Sequence, residues 1–152
     1  AYRGLGEIFV MLFFGLIAVT GTVFVQTGHW YAEGIIAGIQ IGALSTALIA
    51  INNLRDIAED TRSNKRTLAV RMGIPAARWM ITAWCLLPYV ADLLWLPDHP
   101  RLLVLPVAAV LLGLLISVLV HRTPPSRAYN RFLGLSALHL LVWPALFVWA
   151  CL

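Results

Sequence analysis

The feature that most restricts what this chain can become is the length of its uncharged runs. No Asp, Glu, Lys or Arg occurs from Ile8 to Ala32, Gly34 to Leu54, Leu102 to Val120 or Phe132 to Leu152. Each approaches or exceeds the roughly 20 apolar residues that cross a bilayer as a helix. A fifth run, Trp79 to Leu96, is broken only by Asp92 near its end. Charged residues make up 12% of the chain, against about 25% in a soluble domain, so no polar shell can enclose these runs in water. Lipid has to be the solvent for most of the surface.

These runs predict an all-α, polytopic transmembrane helix bundle. Its five spans cover about residues 8–27, 33–54, 77–96, 102–121 and 132–151, within one domain reaching from 1 to 152. At roughly 20 residues each, the spans use about 100 residues and leave only short connections. The first span is too long, and is followed by too many others, to read as a cleaved signal peptide. The chain starts at Ala1 and enters the membrane almost at once, as an internal piece of a larger protein would. Cys85 and Cys151 both fall inside spans and read as small apolar fillers, not as a disulfide framework.

Alternating spans sort the connections into two groups. Ten of the eleven Lys and Arg residues fall on one side: Arg3, the group from Arg55 to Arg78, and Arg122, Arg127 and Arg131. By the positive-inside rule that side is cytoplasmic, and the loop from about 52 to 75 lies there. The net charge of +4 is then an orientation signal. Charges gathered at membrane boundaries argue against a nucleic-acid partner.

Within the second span Gly34, Gly38 and Gly42 recur every four residues, forming a stripe along which a neighbouring helix can approach closely. Pro88, Pro106 and Pro144 sit inside spans and predict kinks.

The one long polar stretch, Asn52 to Gly73, is where chemistry is expected. If the second span stays helical past the boundary, Asn52, Asp56 and Asp60 share one face. Two carboxylates at that spacing repel by a few tenths of a kcal/mol in a bare helix, which a hard cation would offset. Mg²⁺ suits them, since it takes a few carboxylate oxygens and completes its octahedron with water and phosphate. Arg62, Lys65 and Arg66 follow directly and match the remaining phosphate charge. Carboxylate, metal, diphosphate and base, stacked at the mouth of an apolar bundle, is the layering that makes diphosphate a leaving group.

The run INNLRDIAEDTRSNKRTLAVRMG, Ile51 to Gly73, resembles the second Asp-rich motif of the UbiA superfamily of membrane prenyltransferases. It is most similar to the 1,4-dihydroxy-2-naphthoate branch, which makes the menaquinone precursor. The opening from Tyr2 to Glu7, followed by Phe13, Phe14 and Gly15, resembles that branch ahead of its fifth helix. One departure is Asn64, where the family usually has Gly before Lys-Arg. Asn also tolerates a left-handed turn, so the loop shape is expected to survive.

The resemblance implies a nine-helix fold around a central cavity with two Asp-rich cytoplasmic motifs. This chain supplies helices five to nine and the second motif; the N-terminal helices of the same protein are its missing partner. It further implies transfer of a polyprenyl group from polyprenyl diphosphate to an aromatic acceptor, 1,4-dihydroxy-2-naphthoate giving demethylmenaquinone, with loss of CO₂ and diphosphate. Asp56 and Asp60 become the Mg²⁺ ligands and catalytic pair, Lys65, Arg66 and Arg62 the diphosphate contacts, and Asn52 and Asn53 the polar support. Arg55 is a further candidate that alternatively pairs with an acidic neighbour. The implied location is a bacterial plasma membrane, and the piece alone is expected to be inactive.

Other polar residues in the spans carry plainer expectations. His139 is expected to bond a neighbouring helix, and Asp92 to reach the far interface. Glu7 is either a cavity-mouth residue or an interfacial charge. Trp30, Tyr31, Trp79, Trp95, Trp143 and Trp149 include interface-belt positions. The competing readings are a related prenyltransferase using 4-hydroxybenzoate or a porphyrin-type ring, and a non-catalytic membrane subunit or transporter half with the glycine stripe as its assembly surface.

Overall fold

A computed structural model describes residues 4–104 and 107–152. Among these residues the regular structure is entirely helical. The first rod runs through α1 (Gly6–Val10), π-helical turns at Met11–Ile17 and α2 (Ala18–Thr27). Gly28, at φ 73°, terminates it. The long helix α3 (Ala32–Arg55) returns beside it, followed by the short α4 (Ile57–Arg62), α5 (Leu68–Asp92), a 3₁₀ turn at Pro100–Leu103, α6 (Val107–Arg122) and α7 (Tyr129–Cys151).

Gly6–Thr27, α3 and α7 are each long and apolar enough to span a bilayer, with mean hydropathies of 2.6, 2.0 and 1.8. α6 is apolar but shorter. α5 begins and ends earlier than the run from 77 to 96 predicts. Thr67 caps its start by accepting from the Val70 N–H, and Gly73 breaks it at φ 80°, ψ 167°, a backbone state only glycine takes easily. Turns replace the helix beyond Asp92, because Pro97 and Pro100 lack the N–H that a continued helix needs.

α3 is the central post. It packs on the first rod, on α5 and on α7, while α6 closes the far side against α5 and α7. The core joins Ala50, Ile51 and Leu54 of α3 to Ile81 and Cys85 of α5, Ile116 and Val120 of α6, and Tyr129 of α7. Only 6% of the most apolar stretch of the first rod is buried within the protein, against 56% for α3. The rod's other faces are therefore exposed and apolar, with Ile8, Phe14 and Val25 outermost.

The glycine stripe does what its spacing predicts. A Cβ placed on Gly15 would lie 2.5 Å from the Gly38 carbonyl oxygen and 2.5 Å from the Gly42 Cα, so the two backbones touch there. Towards the far end Gly34 meets Val23, and towards the near end Gly6 meets Ile49. Together these contacts fix an antiparallel register for the first rod on α3.

Buried polar groups lock the remaining helices. Gln40 Nε2 donates to Asp92 Oδ1 at 2.9 Å and to the Pro88 carbonyl at 3.0 Å, and Trp95 Nε1 donates to Gln40 Oε1 at 3.2 Å. Asp92 is thus buried among α3 and α5, not extended to the interface as its position near a span end predicts. His139 bonds the Tyr89 hydroxyl on α5, the neighbouring-helix partner expected of it. Pro88 and Pro144 lie inside α5 and α7, and Pro106 falls outside the described residues. Trp30, Trp79 and Trp149 are exposed, but Trp143 is a core residue.

Gly15→Ala should destabilise the fold by about 1–3 kcal/mol, since the new methyl meets backbone that cannot yield locally. Gly21→Ala, with no atom within 4 Å of the added Cβ, should be neutral or stabilising. Thermal unfolding of both variants of the intact protein in detergent separates them, and equal melting temperatures would contradict the crossing.

Candidate functional site

Three sequence-distant segments meet at one end of the bundle. Arg55, at the last turn of α3, donates through Nη1 to Asn130 Oδ1 at 2.8 Å, joining it to the start of α7. Arg78 of α5 donates to the Thr123 carbonyl at 2.8 Å, and the Tyr129 hydroxyl donates to the carbonyls of Val120 and Thr123. Asn53 of α3 donates to Glu7 of α1 at 2.8 Å. The N-terminal turn, the Asn52–Thr67 segment and the α6–α7 connection therefore share one face of the molecule, where the basic residues concentrate.

The helix does not run straight through Asn52, Asp56 and Asp60. Backbone bonds from the Asp56 N–H to Asn52 O and from the Asp60 N–H to Asp56 O persist, but Asp56 itself sits at φ −93°, ψ 9° and separates α3 from α4. The cause is local. Arg55 clamps its neighbour with two 2.7 Å bonds, Nε to Oδ1 and Nη2 to Oδ2. Those two charge-assisted hydrogen bonds hold the Asp56 carboxyl below the usual carboxylate range, so it stays ionised at neutral pH.

Asp60 has a different environment. It is buried, with Oδ1 receiving the Lys65 ammonium at 3.0 Å and Oδ2 left without a partner. The Lys65 N–H also returns to the Asp60 carbonyl at 2.8 Å, closing a turn in which Asn64 takes φ 55°. Asn64 therefore takes the left-handed turn that its side-chain chemistry tolerates.

Most of the candidate residues divide between two cavities, and Asp60 lines neither of them. An open one of about 670 Å³ is lined by Arg55, Asp56, Glu59 and Arg62, with Arg127 and Asn130 across from them. A smaller one of about 200 Å³ is lined by Glu7, Asn52, Asn53, Lys65 and Thr67, among others. Arg66 is exposed. Glu7 also lines a third, apolar cavity of about 310 Å³, with Ile8, Met11, Leu12, Leu16, Leu68 and Trp84. The polar mouth and the apolar cavity thus share one wall residue.

The sequence placed Glu7 between two roles; the structure makes it a cavity-wall carboxylate. Trp84 went unnoticed, since nothing in its local pattern separates it from the other span tryptophans.

The donor set fits a hard cation only in part. Asp60 Oδ2 is a buried, free carboxylate oxygen, whereas both Asp56 oxygens are engaged by Arg55. Among the described residues no three His, Cys, Asp or Glu side chains group as a metal cage. A site supplying one or two carboxylates, with phosphate and water for the rest, is what Mg²⁺ usually accepts.

The profile of the UbiA prenyltransferase family matches residues 1–142. A 1,4-dihydroxy-2-naphthoate octaprenyltransferase of Mycobacterium leprae is 45% identical over 82 residues, 54% of this chain and 28% of that protein. The proteins of the same name from Haemophilus influenzae and Escherichia coli are 44% and 43% identical over 95 and 77 residues. Those stretches cover 62% and 51% of this chain and 30% and 25% of theirs. The chain thus matches less than a third of the length of these relatives. No solved structure matches it. With the profile covering nearly its whole length, this integral membrane helix bundle belongs to the UbiA prenyltransferase family.

Proposed function

We propose that the protein containing this chain transfers a polyprenyl group from its diphosphate to 1,4-dihydroxy-2-naphthoate. The observation that carries this is the junction at Glu7, where a polar cavity holding Asn52, Asn53 and Lys65 abuts an apolar one. A prenyl diphosphate has the same two-part character, a polyanionic head and a hydrocarbon tail. The relatives named for naphthoate octaprenyl transfer, at 33–45% identity, support the choice of acceptor.

In this reading Asp60 and Asp56 are the residues that would hold Mg²⁺. Bound there, it would supply Lewis-acid stabilisation of the departing diphosphate. Lys65, Arg62 and Arg66 bind and orient the phosphate oxygens as charge-assisted donors, and Arg55 holds the α4 turn in place through Asp56 and Asn130. The apolar walls exclude water, so the allylic cation meets the ring and not a hydroxide. The C–O bond to diphosphate breaks, a C–C bond forms at the ring carbon bearing the carboxylate, and CO₂ leaves. The product is the prenylated hydroquinone, so no oxidant is needed.

The concentration of basic residues at this end supports a cytoplasmic placement of the site by the positive-inside rule. The helices of this chain are completed, in the same reading, by N-terminal helices that carry a first acidic motif.

In the intact protein, Asp60→Asn and Asp56→Asn should each lower prenyl transfer by about 10²-fold or more at limiting Mg²⁺. Steady-state assays with purified variants check this. Near-normal turnover by either variant would remove that residue from the metal site.

A further inference from the structure

Asp60 and Lys65 close a turn on themselves. Asp60 is 4% exposed, its Oδ1 receives the Lys65 ammonium at 3.0 Å, and its Oδ2 is buried without a partner among the described residues. It lines neither the open cavity nor the smaller polar one. A cation therefore cannot reach either carboxylate oxygen while the ammonium stays in place. A buried acceptor left unpaired is costly, so the closed turn also holds an oxygen that a cation would satisfy once admitted.

The ammonium can leave without unfolding the turn, because bonds that do not involve it hold the backbone. The Lys65 N–H donates to the Asp60 carbonyl at 2.8 Å, the Ser63 hydroxyl to the same carbonyl at 3.2 Å, and the Ser63 N–H to the Glu59 carbonyl at 2.9 Å. The Lys65 side chain is 30% exposed and borders the polar cavity beside Asn52, Asn53 and Thr67. Arg55 differs, since Asn130 holds it from α7 while it clamps Asp56. Lys65 is thus the movable cation of the loop, and Arg55 a fixed one.

We propose that the Lys65–Asp60 pair is a latch that bars divalent cations from Asp60 until a phosphate group in the polar cavity takes over the ammonium. The latch rests on the prenyl-transfer reading, in which Asp60 meets Mg²⁺ and Lys65 meets the diphosphate. It adds that Asp60 is freed only when Lys65 finds its new partner. A cation arriving alone has to displace the ammonium and leave two positive charges side by side in a site of low dielectric. Cation and phosphate therefore favour each other's binding, and by linkage to the same degree.

Binding of Mn²⁺ alone, followed by electron paramagnetic resonance of the intact protein in phosphatidylcholine nanodiscs, tests the latch without turnover. Lys65→Met removes the ammonium and keeps the aliphatic stem; it should raise Mn²⁺ affinity about 10-fold, inside the roughly 5- to 150-fold range of couplings between sites. Adding Asp60→Asn to that variant should erase the gain, whereas Asp60→Asn alone should change Mn²⁺ affinity by less than about 2-fold, because the latched carboxylate takes no part. Arg66→Met removes the same charge from an exposed neighbour and should stay within about 2-fold of wild type. Lys65→Gln, equally uncharged, should shift the affinity in the same direction and serves if Lys65→Met folds poorly. No gain with either Lys65 variant, a gain that survives Asp60→Asn, or an equal gain from Arg66→Met would overturn the latch. The expected gain in a protein that transfers no prenyl group would instead count against the reaction proposed above.

Discussion

The backbone contact between Gly15 and the Gly38–Gly42 segment is the constraint on which the rest of the site depends. Lipid offers no hydrophobic force to press two helices together, so association relies on close packing and interhelical hydrogen bonds. With no side chain between them, the first rod lies on α3 at van der Waals distance, and the antiparallel register follows. That register carries Glu7 to Asn53, Gly6 to Ile49 and Val23 to Gly34. Moving the crossing by one turn would take the carboxylate off its amide and separate the polar cavity from the apolar one.

A low-dielectric solvent also explains how the charges are arranged. Polar groups inside the bundle are few, and several bond across helices, as in Gln40 with Asp92 and His139 with Tyr89. The chemistry-bearing groups collect instead at the end where water is available, on α4 and its flanking turns. Arg55 ties that segment to α7, and Lys65 ties it to Asp60. The loop is thus tied to the rigid helices that flank it, and among the described residues Asp60 and Glu7 each keep one buried carboxylate oxygen without a partner.

Much of this was legible in the residues before any coordinates. Uncharged run lengths implied the helices, the four-residue glycine spacing implied the close crossing, and the acid-then-base order from Asn52 to Arg66 located the loop. Asn64 in a left-handed turn followed from its side-chain chemistry. The helix break at Asp56 was not legible, because spacing arithmetic assumes an unbroken helix and an Arg can clamp its own neighbour. Burial of Asp92 depends on Gln40, 52 residues away, which no local window contains. Trp84 has the same composition signal as a belt tryptophan, and only the packing around Glu7 sets it apart.

The central claim is that an acidic and basic turn at the end of an apolar bundle hands a prenyl chain to an aromatic ring. The most direct measurement incubates the intact protein in nanodiscs with Mg²⁺, labelled polyprenyl diphosphate and a panel of aromatic acids. The panel includes 1,4-dihydroxy-2-naphthoate and 4-hydroxybenzoate. Label should pass into an apolar product with the naphthoate, with CO₂ and diphosphate released in equal amounts. Label confined to unreacted or hydrolysed diphosphate with every acid in the panel would contradict the account.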